Sequence, residues 1–177
     1  MKRILLIMVM LLTVVGAKAQ VTMNARVGAG MITDYPGMVG SFQVNIPFKR
    51  GGRFTFSPSV EFDGAFCTDE DEYVSKMLLG SFNFGIKASL GSKALLIPKV
   101  GWAFGGDFGG STEKLITGPS TEIAFEYKHF IVAVSGFYSI IDCDKEYWFY
   151  SYYNDWYSKY ASYYNPWKAT ISIGYKF

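Results

Sequence analysis

The chain is poor in the residues from which chemical sites are usually built. Its 177 residues include two cysteines, Cys67 and Cys143, and one histidine, His129. That excludes a structural Cys/His zinc site and a small disulfide framework. Beyond the first twenty residues no apolar run approaches the roughly 20 residues that a membrane-crossing helix needs. The glycine doublets at 105–106 and 109–110 lack the GxGxxG spacing and the strand-to-helix setting of a nucleotide loop. An acidic run, Asp69-Glu70-Asp71-Glu72, lacks the glycine-centred spacing of a calcium loop and reads as a solvated tip. No cofactor or metal is expected.

The amino terminus carries a targeting pattern. Lys2 and Arg3 precede an apolar run from Ile4 to Val15, followed by Ala17-Lys18-Ala19, which together match a secretory signal peptide with a small-x-small cleavage site. Residues 1–19 are therefore expected to be removed after Ala19, leaving 20–177 as one domain. Three of the 17 basic side chains leave with the leader and no acid does, so 14 bases face 15 acids and the mature net charge is −1. The alkaline pI of the whole chain comes from the leader, and nucleic acid is not an expected partner.

What is abundant is alternation. From Val21 onward, segments of about ten residues switch between apolar and polar at every step, the signature of strands with one greasy and one polar face. Val21, Met23, Ala25 and Val27 oppose Thr22, Asn24 and Arg26; Phe42, Val44 and Ile46 oppose Ser41, Gln43 and Asn45. Phe54, Phe56, Val60 and Phe62 oppose Thr55, Ser57, Ser59, Glu61 and Asp63, and Leu78, Phe82, Phe84 and Ile86 oppose Ser81, Asn83 and Lys87. A fifth segment, 94–104, sets Leu96, Val100, Trp102 and Phe104 against Lys99, and a sixth sets Thr121, Ile123, Phe125 and Tyr127 against Ser120, Glu122 and Glu126. The seventh, 130–141, is apolar on both faces in places, which leaves its facing open. The eighth alternates Trp167, Ala169, Ile171, Ile173, Tyr175 and Phe177 with Lys168, Thr170, Ser172, Gly174 and Lys176. Eight such strands predict an all-β, antiparallel, up-and-down transmembrane barrel.

The connections alternate as well. Basic turns at Lys49-Arg50-Gly51-Gly52, Gly91-Ser92-Lys93 and Lys128-His129 are short, whereas the links near 33–37, 67–76, 105–114 and 142–166 are mostly longer and acidic. The acidic links sum to −7, the basic turns with Arg53 to +5, and the inward strand positions to +1. Short turns are assigned to the periplasmic end and acidic links to the outside.

Nine charged side chains point inward: Arg26, Glu61, Asp63, Lys87, Lys99, Glu122, Glu126, Lys168 and Lys176. An eight-stranded lumen is filled by side chains, so an internal ion-pair network is predicted, with a gated pore as the other reading. The 142–166 link holds eight of the 13 tyrosines together with Trp148, Phe149 and Trp156. Tyr147, Trp148, Tyr150, Tyr153, Trp156, Tyr157 and Tyr160 form a candidate surface for an extracellular protein or glycan. The same residues also suit a membrane-interface belt or, through Tyr153, Tyr157, Tyr160 and Tyr164, a local helix. Cys67 and Cys143 fall past the outer ends of strands three and seven, and a disulfide between them requires the loops to fold inward. His129 lies in a periplasmic turn, away from any outer-surface serine or acid partner, so no enzymatic activity is expected.

With the leader, the strands and the terminal Ile171, Ile173, Tyr175, Phe177 pattern in place, the chain resembles the small eight-stranded outer-membrane barrels of the OmpA and OmpX type over the whole mature region. The resemblance does not extend to a peptidoglycan-binding domain. It implies residence among outer-membrane lipid in a bacterial cell, and insertion by the outer-membrane assembly machinery, with Ile173, Tyr175 and Phe177 as the assembly signal. Pro58 and Pro98 depart from the pattern, since each removes a ladder donor. The competing reading is a secreted soluble eight-stranded barrel with its aromatic face turned inward around a small apolar ligand.

Overall fold

The computed structural model describes residues 21–48, 54–68, 74–108, 114–141, 143–150 and 157–177, with only the backbone for 68, 74–75, 114, 143–150 and 157–164. The leader lies outside them, as does the acidic run at 69–72. Among the described residues ten strands form: β1 (Thr22–Ile32), β2 (Tyr35–Asn45), β3 (Phe54–Thr68), β4 (Val74–Ser89), β5 (Ala94–Asp107), β6 (Lys114–Tyr127), β7 (Phe130–Tyr138), β8 (Cys143–Tyr150), β9 (Tyr157–Tyr164) and β10 (Trp167–Lys176). Eight of them close a barrel in the order β1-β10-β7-β6-β5-β4-β3-β2, every neighbour antiparallel. Closure is made by β1 against β10, where Asn24 pairs with Lys176 and Ile32 with Lys168. No sheet edge is left in the ring, which is what a wall without water on its outside requires.

Alternation sets the facing. Phe54, Phe62, Phe82, Phe84, Val100, Ile123, Val134, Ile171 and Ile173 are exposed on the outer wall, and Asn24, Arg26, Gln43, Glu61, Asp63, Lys99, Glu122, Glu126 and Lys168 are buried inside. A soluble carrier needs the reverse, so the greasy exterior overturns that reading. The seventh strand also resolves: Ile131, Ala133 and Phe137 are buried in the lumen while Phe130, Val132, Val134 and Tyr138 face out.

Three links differ from expectation. The first outer link is not long; Thr33 and Asp34, with φ of 46° and 72°, make a two-residue turn whose paired left-handed residues match the twist of the flanking strands. The sixth strand starts at Lys114, because its pairing with β5 continues through Asp107↔Lys114. The 142–166 link, read as a loop, holds a second sheet in which β8 and β9 pair from Cys143↔Tyr164 to Tyr150↔Tyr157. Both prolines stay within strands. At Pro98 the β4–β5 ladder has a gap, with pairing present at Gly85↔Lys99 and resuming at Ala88↔Leu96, as expected where a donor is missing.

Candidate functional site

Inside the barrel the inward positions meet across the lumen. The guanidinium of Arg26 on β1 bridges two carboxylates from other walls, Glu61 on β3 and Glu122 on β6, the latter at 2.7 Å. Lys99 on β5 approaches Glu122 at 2.9 Å and donates to Asn45 Oδ1 at 3.2 Å. Gln43 Nε2 donates to the second oxygen of Glu61 at 2.7 Å, and Asn24 Nδ2 to Gln43 Oε1 at 3.1 Å. Toward the outer end Lys168 pairs with Asp63, and toward the turn end Lys176 pairs with Glu126. Buried charge is tolerable only when paired and hydrogen-bonded, and the network meets that condition by alternating sign across the axis.

Of the nine inward charges, Lys87 is not part of it. It is half-buried, two residues before the turn end of β4, and has no ion pair among the described residues. A void of about 20 Å³ is lined by Asp63, Ser81, Ser120, Glu122, Phe137 and Lys168, room for about one water molecule.

Toward its outer end the lumen holds an apolar cluster, which the alternation did not announce. Ile32, Val39, Ala65, Cys67, Met77, Leu79, Ala103, Ile116 and Phe137 form one buried cluster, with Tyr35 packed against it. A second cluster of Ile97, Ala124, Ile131 and Ala133 lies on the β5–β7 side. Their signal in the sequence was the double-faced apolarity at strand ends, visible in β7 and at Ile32, Met77 and Ile116. Cys67 belongs to the first cluster; its pairing with Cys143 falls on a side chain outside the described residues.

The hairpin β8–β9 continues β7 and β10 beyond the last barrel pair, Trp167↔Tyr138. Its base is fixed by Ser139 N–H donating to Pro166 O at 2.8 Å, Asn165 Nδ2 to Ser139 O at 3.2 Å, and Ile140 N–H to Thr117 O at 2.9 Å. Register pairs Tyr147 with Tyr160, Trp148 with Lys159, and Tyr150 with Tyr157. Tyr153 and Trp156 lie outside the described residues. The helical spacing of Tyr157, Tyr160 and Tyr164 is thus carried by a strand.

At the opposite end the aromatic residues collect. Tyr175 stacks on His129 with centroids 5.4 Å apart and meets Phe130 and Phe177 edge-on at 6.0 and 5.4 Å. Phe56 stacks with Phe48 and Phe84. His129 is exposed in its turn, with Nδ1 3.2 Å from the Lys176 carbonyl oxygen. Ile173 and Tyr175 face outward and Phe177 is 71% exposed.

The closed eight-stranded ring has counterparts among solved structures. Ail, the attachment invasion locus protein of Yersinia pestis, crystallised in complex with the heparin analogue sucrose octasulfate, is similar at 11% identity and a TM-score of 0.51, over 90% of this chain and 99% of that one. The N-terminal β-barrel domain of Pseudomonas aeruginosa OprF is similar at 11% identity and a TM-score of 0.40, over 90% of this chain and 99% of that one. The chain has the fold of the small outer-membrane barrels. No family model matches it, and neither does any curated protein.

Proposed function

We propose that this chain is a non-enzymatic protein of the bacterial outer membrane whose barrel anchors a projecting aromatic hairpin, and that the hairpin contacts an extracellular protein or glycan. The leader would direct export, and Ile173, Tyr175 and Phe177 would be read by the outer-membrane assembly machinery. The observation that carries the reading is the unbroken pairing of β8 and β9, Cys143↔Tyr164 through Tyr150↔Tyr157. At about 3.3 Å per residue the ribbon extends roughly 25 Å. A paired backbone holds Trp148 and the tyrosines of β8 and β9 in a fixed register, which lowers the entropy lost when a partner is bound.

Ail was crystallised with a sulfated sugar analogue, which brings glycans into view as a ligand class. The outer links of this chain, however, sum to −7, and a polysulfated ligand would meet like charge there. A neutral glycan, stacked on aromatic faces, or a protein surface suits this end better. The test is adhesion of cells displaying the protein to immobilised neutral glycans, sulfated glycans and extracellular-matrix protein. Binding to a neutral glycan or a protein, reduced at least tenfold by combined Trp148→Ala, Tyr150→Ala and Tyr157→Ala, is expected, since a few aromatic anchors dominate such contacts. Adhesion that survives the triple substitution in full removes the hairpin from the function.

A further inference from the structure

The lumen holds one cation more than its carboxylates engage. Arg26, Lys99, Lys168 and Lys176 each meet a carboxylate, and between them they occupy Glu61, Asp63, Glu122 and Glu126. The ammonium of Lys87, the fifth inward cation, makes no ion pair or hydrogen bond among the described residues. Register accounts for this. Lys87 pairs with Thr55 on β3, and the β4–β5 register is the same on both sides of the ladder gap, Gly85↔Lys99 and Ala88↔Leu96, which sets Ile97 opposite Lys87. Neither neighbour carries a charge, and on the diagonal stands a second cation, Lys99.

Against these lysines lies a hydroxyl with nothing to bond. Ser57 pairs with Gly85, so it stands diagonal to Lys87 on the same inner face, a separation that a long side chain spans. It is 0% exposed, and its Oγ has no hydrogen-bond partner among the described residues. Ser59, the next inward residue of β3, is buried and unpartnered in the same way. Between Ser57 and Lys99 the wall is bare: a Cβ on Gly85 would lie 2.7 Å from Lys99 Cγ, so the glycine lets the Lys99 stem cross β4 on its way to Asn45 of β2. Two positive side chains thus border one buried, unsatisfied donor at the turn end of the ion-pair layer.

We propose that Lys87, Ser57 and Thr55 form a binding site for one small monovalent anion, a halide such as chloride, which enters from the turn end. The Ser57 hydroxyl donates to the ion and the Lys87 ammonium neutralises it, so one ligand answers both an uncompensated charge and a buried hydroxyl, each of which is costly when left alone. The valence follows from the surplus. Five inward cations face four inward carboxylates, so a monoanion balances the lumen and a dianion would overshoot it. Lys99 adds positive potential while remaining committed to Glu122 at 2.9 Å. The site owes nothing to the hairpin, and the outer-membrane reading enters only in naming the periplasm as the source of the ion.

The experiment is thermal unfolding of the protein in vesicles, read by heat-modifiable gel migration, as sodium gluconate is replaced by sodium chloride, bromide or sulfate at constant ionic strength. A saturable rise in midpoint with chloride and bromide, absent with gluconate and sulfate, is expected, because only a ligand of the folded state stabilises it by mass action. Ser57→Ala should weaken the halide dependence about tenfold, the worth of one hydrogen bond to a charged group. Lys87→Met should abolish it and yet be at least as stable as the unaltered protein in gluconate, since it removes an unpaired charge; a lysine needed only for folding would lower stability in every salt. Lys87→Gln serves the same comparison if the methionine variant does not fold. Anomalous diffraction from bromide-soaked crystals should place the ion within hydrogen-bond reach of Ser57 Oγ. A midpoint indifferent to halide, a response equal in sulfate, a response unchanged by Lys87→Met, or bromide found only elsewhere would each overturn the site.

Discussion

Arg26 is the residue on which the lumen turns. It is 4% exposed and one guanidinium serves Glu61 and Glu122, so its planar fork satisfies two carboxylates from opposite walls. Removing it leaves both carboxylates buried with reduced compensation, a situation that costs about 3–5 kcal/mol for a broken buried pair. Arg26→Ala should accordingly lower unfolding stability in vesicles by about that amount, read by urea titration with gel migration or tryptophan fluorescence. A loss below about 1 kcal/mol would mean that water already screens the pair. The identity of this site was legible from alternation alone, because a charged residue between apolar neighbours in a strand has only one face to occupy. Lys87 obeyed the same alternation and yet is not part of the network; it stands two residues from the turn end of β4, and facing alone does not give its height in the barrel.

The elements differ in how they are held. Each barrel strand is paired on both sides, whereas β8 and β9 pair only with each other, and their junction with the barrel rests on the short set of bonds around Ser139 and Pro166. Replacing 143–164 by a two-residue Asn-Gly turn should therefore leave the ring intact, because the β7–β10 register from Trp167↔Tyr138 to Tyr175↔Phe130 needs nothing from the hairpin. Unchanged heat-modifiable migration with lost adhesion is the expected pair of results, and a shortened protein that fails to close would show that the hairpin nucleates β7–β10 pairing. In the sequence this segment gave conflicting periods: tyrosines at 153, 157, 160 and 164 fit a helix, yet they fall in a region where nearly every residue is aromatic or polar, so neither period has contrast. The pairing is decided by continuity with β7 and β10, a tertiary effect that overrides local spacing.

For the molecule as a whole, the question the interior decides is whether anything passes through it. Two seals lie in series along the axis. The outer one is the buried cluster of Ile32, Met77, Ile116 and Phe137 with their neighbours, and the inner one is the layer of ion pairs around Arg26 and Glu122. Between them remains a void of about 20 Å³. A hydrated ion needs a continuous polar path, and an apolar constriction resists wetting, so planar-bilayer recordings of the reconstituted protein should show no discrete conductance steps at 100 mV. Phe137→Ala, which thins only the outer seal, should stay silent because the salt-paired layer beneath is untouched. Stepwise current from the unaltered protein would mean that the pairs exchange partners and open a route, and the barrel would then be a gated pore. Closure of the ring, the facing of every barrel strand but β7 and the near-balance of internal charge were readable from alternation. The outer seal was not, because Ile32, Met77 and Ile116 interrupt alternation near strand ends, where an apolar residue on the inner face looks like a misplaced boundary until seven walls bring such residues together.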